Sequence, residues 1–219
     1  MGSSKADKLV AAKTVPLLPL DGALLFPRAV LPLHIFEERY VELVDDALSS
    51  NRLIGLIQPQ NADDESEVPQ LQSIGTLGRI THFEEVGDER YMIGLTGLCR
   101  FNLKGDSVLN NKPYRTGTID TSPFKQDLIA GFGENDIDRN RFVNLLRSYA
   151  EFADFELDWD EINEAGLEDL INTCSMASPY AARERQALLE ADTLATRAEM
   201  LMAFAEIEMS RQDANITMQ

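Results

Sequence analysis

The chain has 219 residues, 44% of them hydrophobic and 26% charged, a globular composition that excludes general disorder. Its 37 acidic residues outnumber 20 basic ones, for a formal net charge of −17. A surface this acidic repels phosphate backbones, so nucleic acid and anionic membranes are poor partners.

Residues 1–13 are polar, carry three lysines and read as a mobile lead-in. The stretch that follows, PLLPLDGALLFPRAVLPLHIFEERY from Pro16 to Tyr40, is apolar and rich in proline. It is no membrane span, because Asp21 and Arg28 interrupt it and Pro16, Pro19, Pro27 and Pro32 would break a helix repeatedly. No export signal precedes it, and the chain reads as cytoplasmic. Residues 15–20 and 31–36 fit strands at a sheet edge, where a proline removes no ladder hydrogen bond. GALLFPRAV between them has no clear period.

Residues 37–49 switch to helical spacing, with Tyr40, Leu43, Val44, Ala47 and Leu48 on one face. A short buried strand is expected at 53–58, then the charged loop NADDESEVPQ. Residues 74–86 and 90–103 read as a hairpin turning at Gly87, Asp88 and Glu89, and 114–119 as a last strand. Residues 14–120 are thus expected to form a compact, mostly antiparallel β domain with one helix, a closed or half-closed barrel.

The strand pattern stops at Thr121. Residues 121–135 read as a linker and 136–212 as a helical bundle. The first helix is expected over 136–155, the second over 158–177 from a capping box of Asp158 and Glu161. Pro179 is expected at the first position of a third, and Leu194, Ala198, Leu201, Met202, Ala205 and Met209 stripe a fourth from about 193. From 121 onward the chain holds 8 Lys and Arg against 20 Asp and Glu, a net of −12.

Motifs for catalysis are missing. There is no phosphate-cradling loop, no GxGxxG after a strand, and no HExxH, CxxC or GxSxG. His34 and His82 read as strand residues. Ser122 and Lys125 have SxxK spacing, but in a linker, with proline directly after the serine. DFELDWDEINEAG spaces Asp154, Glu156 and Asp158 like a calcium loop, yet Trp159 stands where glycine is needed and Ala165 where a bidentate glutamate is needed. Cys99 and Cys174 read as buried, reduced thiols. No catalytic residue, metal or cofactor is expected.

The segments VPLLPLDGALLFPRAVLPLHIFEERYVELVDDAL, LIGLIQP, IGTLGRITHFEE and ERYMIGLTGLCRF, in this order, resemble the N-terminal substrate-binding domain of Lon proteases. LINTCSMASPYAARERQALLEADTLATRAEML, with Leu188, Leu189, Glu190 and Arg197, resembles its helical half, so the likeness covers about 14–205. It implies an α+β fold: a mostly antiparallel β-barrel of the pseudouridine-synthase-and-archaeosine-transglycosylase (PUA-like) kind with one helix, then a C-terminal α-helical bundle. In the full protease such a region resembles a receptor that captures substrates for an ATPase and a Ser-Lys peptidase. Neither engine has its motifs here, and the chain resembles a stand-alone protein of this type.

The resemblance implies a non-enzymatic protein-binding module for apolar or unfolded polypeptides, with an adaptor in protein quality control as one such role. RNA binding by the PUA-like barrel is the alternative, opposed by the charge. A hydrolase built on Ser122 and Lys125 is opposed by their context. The same resemblance makes PLLPL and LPLHIF core strands. Leu24, Leu25, Phe26, Pro27 and Arg28 remain as the candidate protein-binding surface, against the alternative that they plug the barrel.

Overall fold

The computed structural model describes residues 14–61, 68–87, 90–108 and 111–217. The expected lead-in at 1–13, residues 62–67 of the charged loop, and Asp88 and Glu89 of the hairpin turn lie outside them. The chain divides into two compact units: one runs to Ile129 and takes in Pro179–Leu189, the other holds Ala130–Ser178 and the chain from Glu190 onward.

The first unit contains β1 (Thr14–Pro19), β2 (Val30–Ile35), α1 (Glu38–Leu48), β3 (Leu53–Ile57), β4 (Ile74–Glu85), β5 (Tyr91–Val108) and β6 (Arg115–Asp120). The strands lie in the order β2-β5-β4-β3-β1-β6, and β6 also pairs with β5, so five of them close a ring with β2 outside it. Only β1 and β3 run parallel. Closure depends on the 18 residues of β5, which pair with β2 through Tyr91–Thr96 and with β6 through Asn102–Val108. Register shifts along β4 and β5 bend the ribbon between those halves.

Side chains alternate between two cores. Val15, Leu17, Leu53, Ile57, Leu77, Cys99 and Phe101 belong to one; Leu18, Ile54, Leu56, Ile93 and Leu95 join Leu43, Val44 and Ala47 of α1 in the other. All five residues of β3 are buried, which is why LIGLI shows no polar alternation. One expectation is corrected here. β1 is not an edge strand but sits between β3 and β6. Its prolines are tolerated because the β6 ladder covers Thr14–Leu17 and the β3 ladder Leu17–Pro19, leaving Pro16 and Pro19 each outside one of them.

Part of the expected linker at 121–135 has regular structure. Ser122–Leu128 forms a short 3-10 stretch whose Asp127 is buried. The chain also returns to the β unit after the first helices, through Pro179–Leu189, which holds all of α5 (Ala182–Glu190) but its last residue. There Gln186 Oε1 accepts from Gln58 Nε2 at 2.9 Å, Gln186 Nε2 donates to the Ile74 carbonyl at 3.1 Å, and Arg185 donates to the Gly22 carbonyl. Polar partners more than a hundred residues apart leave no local signal, which is why 179–189 reads as bundle from sequence.

The second unit holds α2 (Arg139–Ala153), α3 (Trp159–Glu164), α4 (Leu167–Ala177) and α6 (Leu194–Thr217). Asp138 caps α2 and Asp158 caps α3, each accepting backbone N–H bonds at 3.0–3.1 Å. The expected single helix over 158–177 is two, because Ala165 and Gly166 are extended. Pro179 precedes its helix rather than opening it, since the helix begins three residues later at Ala182. Leu194, Ala198, Leu201, Met202 and Ala205 of α6 are buried as the stripe requires.

Candidate functional site

The loop singled out from sequence is interior. Leu24, Leu25 and Phe26 are 2%, 1% and 0% exposed, and Pro27 is buried as well. Leu25 joins the core beneath α1, and its carbonyl accepts from Thr76 Oγ1 at 2.6 Å. The loop crosses β5 at Gly97, where a β-carbon would stand 2.0 Å from the Phe26 carbonyl oxygen. Arg28 takes φ 69°, donates its backbone N–H to the Gly97 carbonyl at 2.8 Å and its Nη1 to the Asp127 carbonyl at 2.7 Å. As folded, Leu24, Leu25 and Phe26 therefore present no apolar surface. Their lack of period reflects a plug, whose side chains point wherever the core has space.

Two of the exposed apolar groups of this unit, Val30 and Phe36, follow the loop directly in sequence, while Val68, Val108 and Ile129 are exposed elsewhere in it. In β2 the inward residues are Leu31, Leu33 and Ile35, and the outward ones are Val30, Pro32 and His34, followed by Phe36. Phe36 is 64% and Val30 55% exposed. The rings of His34 and Phe36 meet edge to face with centroids 5.8 Å apart. Across β5 and β4 the same face continues through Met92 and Gly94 to His82 and Glu84. A β-carbon on Gly94 would lie 3.1 Å from His82 Cβ and 3.5 Å from Val30 Cγ1, so its absence leaves a shallow trough between those side chains. A large apolar ring held in water at the end of a strand carries an unfavourable hydration free energy that a partner would relieve.

Among the described residues, β2 also has one unpaired side. Gly97 N–H donates to the Ala29 carbonyl, which sets the ladder phase and turns the main-chain groups of Val30, Pro32 and His34 away from β5. Pro32 supplies no N–H there and so blunts the edge.

A buried ion pair ties the strands to the 3-10 stretch. Asp127 accepts from the Arg100 backbone N–H, Nε and Nη2, each at 2.9 Å, and Arg100 Nη1 reaches the Leu189 carbonyl at 3.0 Å. Arg100 also stacks over the Phe124 ring at 4.7 Å. Ser122 Oγ donates to Asp120 Oδ1 at 2.6 Å, an engagement local to the turn. His34 and His82 are exposed strand residues. Cys99 is buried and Cys174 partly so, and burial pushes their thiols up to about 12 and about 11. Among the described residues no group of His, Cys, Asp and Glu is arranged to hold a metal ion, and no helix is long and apolar enough to cross a membrane.

Residues 14–206 match the family described as the ATP-dependent protease La (LON) substrate-binding domain. Lon protease 2 of Sorangium cellulosum is 30% identical over 98% of this chain, and Lon protease of Flavobacterium johnsoniae 27% identical over 90%. The matched region is 27% and 24% of those relatives, so the chain spans about a quarter of their length. Among solved structures, the N-terminal domain of Mycobacterium avium complex Lon protease superimposes with a TM-score of 0.65 at 15% identity, covering 89% of this chain and 98% of that one. The Lon N-terminal domain protein from Xanthomonas campestris gives 0.58 at 23% identity, covering 87% and 97%. At these identities the structural likeness concerns the fold alone.

Proposed function

The chain belongs to the Lon substrate-binding domain family, and we propose that it is a non-enzymatic module that captures apolar or unfolded polypeptide segments on the outer face of β2, as an adaptor in cytoplasmic protein quality control. The observation that carries this reading is the outward exposure of Phe36, directly after β2, and of Val30 at its start, both more than half exposed. A rigid apolar anchor loses little conformational freedom when a partner docks, which lowers the entropic cost of burying it. The absence of enzymatic activity is supported by the extent of the family match and by the Ser122 hydroxyl being engaged with Asp120.

Fluorescence anisotropy with labelled, unfolded casein tests this directly. The unmodified chain is expected to bind, and Phe36→Asp to lose most of that binding with an unchanged thermal melt. Equal binding by the two proteins would remove the β2 face as the site.

A further inference from the structure

We propose that the helical unit carries a second polypeptide site, a groove between the end of α2 and the start of α3 that takes an aliphatic residue flanked by arginine or lysine. The groove has a volume of about 380 Å³. Its apolar walls come from Ala150, Phe155, Leu157 and Trp159, and Glu151 and Glu156 line it beside them. The local chain path builds it. Asp154 ends α2 in the left-handed region at φ 54°, and the chain then runs extended to Asp158, which caps α3. That reversal returns Trp159 to Arg147, whose guanidinium carbon sits 4.7 Å from the indole centroid.

Charge selects the occupant. From Ser148 to Ala182 the sequence contains nine acidic residues and no lysine or arginine. Arg139, just ahead of this stretch, donates to the carbonyls of Ile162, Asn163 and Ala165. Arg147 is the basic residue in the groove lining, and it lies on the aromatic ring. An indole face attracts a guanidinium or ammonium, and an acidic rim of Glu151, Asp154 and Glu156 strengthens that preference. The intramolecular stack displays the chemistry of the ligand: a basic side chain replaces Arg147 over Trp159 while its aliphatic neighbour enters the apolar walls. This site is separate from the β2 face and does not rest on the function proposed for it.

Trp159 is the one tryptophan of the chain, so its emission reports on this groove alone. The full chain would be titrated with a synthetic peptide of two leucines flanked by arginines, beside one flanked by glutamates and an all-arginine peptide without leucine. The leucine-arginine peptide is expected to shift Trp159 emission saturably and more tightly than either comparator. Glu151→Gln with Glu156→Gln should weaken it by about tenfold, the combined effect of two exposed charges. Arg147→Gln should tighten it by freeing the ring. The proposal is overturned if emission does not change, if the acidic or the all-arginine peptide does as well, or if Arg147→Gln weakens binding. Phe36→Asp should leave the titration unchanged, so failure here and failure of the β2 site are read separately.

Discussion

The carbonyl oxygen of Phe26 occupies the space beside Gly97 that a side chain would need, 2.0 Å from where a β-carbon would be. A methyl group there has to displace backbone, not the tip of a flexible side chain. Gly97→Ala should therefore lift the loop off β5 and lower stability by about 2–3 kcal/mol, seen as an earlier urea midpoint. A midpoint within experimental scatter of the parent would show that the loop is not held against β5.

Phe26 and Phe36 make a matched pair for substitution, one fully buried and the other 64% exposed. Phe26→Asp buries an unpaired carboxylate and should cost about 3–5 kcal/mol. Phe36→Asp should stay within about 0.5 kcal/mol of the parent. Melting curves of the two variants side by side would settle the order, and a reversed order would return the plug to candidacy as a surface.

Asp127 satisfies three donors of Arg100, and both side chains are buried. Asp127→Ala should cost about 3–5 kcal/mol because it strands a buried guanidinium. Adding Arg100→Met should restore much of the loss, since the stranded charge is then gone as well. If the double variant is no better than the single one, the destabilisation arises from packing and not from charge.

Thiol chemistry follows from burial. With Cys99 held up to about 12 against an ordinary 9.0, its thiolate fraction at pH 8 is lowered about a thousandfold. Ellman's reagent should label it only after unfolding. Between the ordinary value and about 12 the unfolded chain ionises this thiol while the folded chain does not. Its contribution to stability is complete below that window and falls as pH rises through it. Rapid labelling of native Cys99 would contradict the buried placement.

Single-stranded RNA should bind no tighter than roughly 10⁻⁴ M at physiological salt, because a chain of net charge −17 releases few counterions on contact. Micromolar, salt-sensitive anisotropy changes would favour the RNA reading of the barrel over polypeptide capture.

The strands were legible in the sequence because their periodicity is local: the apolar runs, the hairpin turn and the all-apolar LIGLI each mark one element. The face of β2 was legible too, had the parity of VLPLHIF been followed. With Leu31, Leu33 and Ile35 inward, Val30, His34 and Phe36 have to share the outer side. GALLFPRAV drew attention instead because it lacks a period, and an aperiodic plug has the same composition as an aperiodic surface. The interior position of β1 and the return of 179–189 depend on partners distant in sequence, such as Gln58 with Gln186. No window along the chain contains both. The split between α3 and α4 hangs on the extended backbone of Ala165 and Gly166, in a run whose apolar spacing alone is compatible with one helix.

That return has a consequence during synthesis. When Asp120 of the last barrel strand has been made, Gln58, the Ile74 carbonyl and the Gly22 carbonyl still lack the partners that arrive with Arg185 and Gln186. At about 5–20 residues per second a nascent chain needs several more seconds to supply them. During that interval the barrel carries polar groups without their final bonds, and a ribosome stalled between the two segments would hold it in that half-finished form. A fragment ending at residue 129 reproduces the stalled state in the test tube. Adding a synthetic peptide of residues 179–189 should slow its amide hydrogen exchange around Gln58 and Ile74, completing in trans what the ribosome completes in cis.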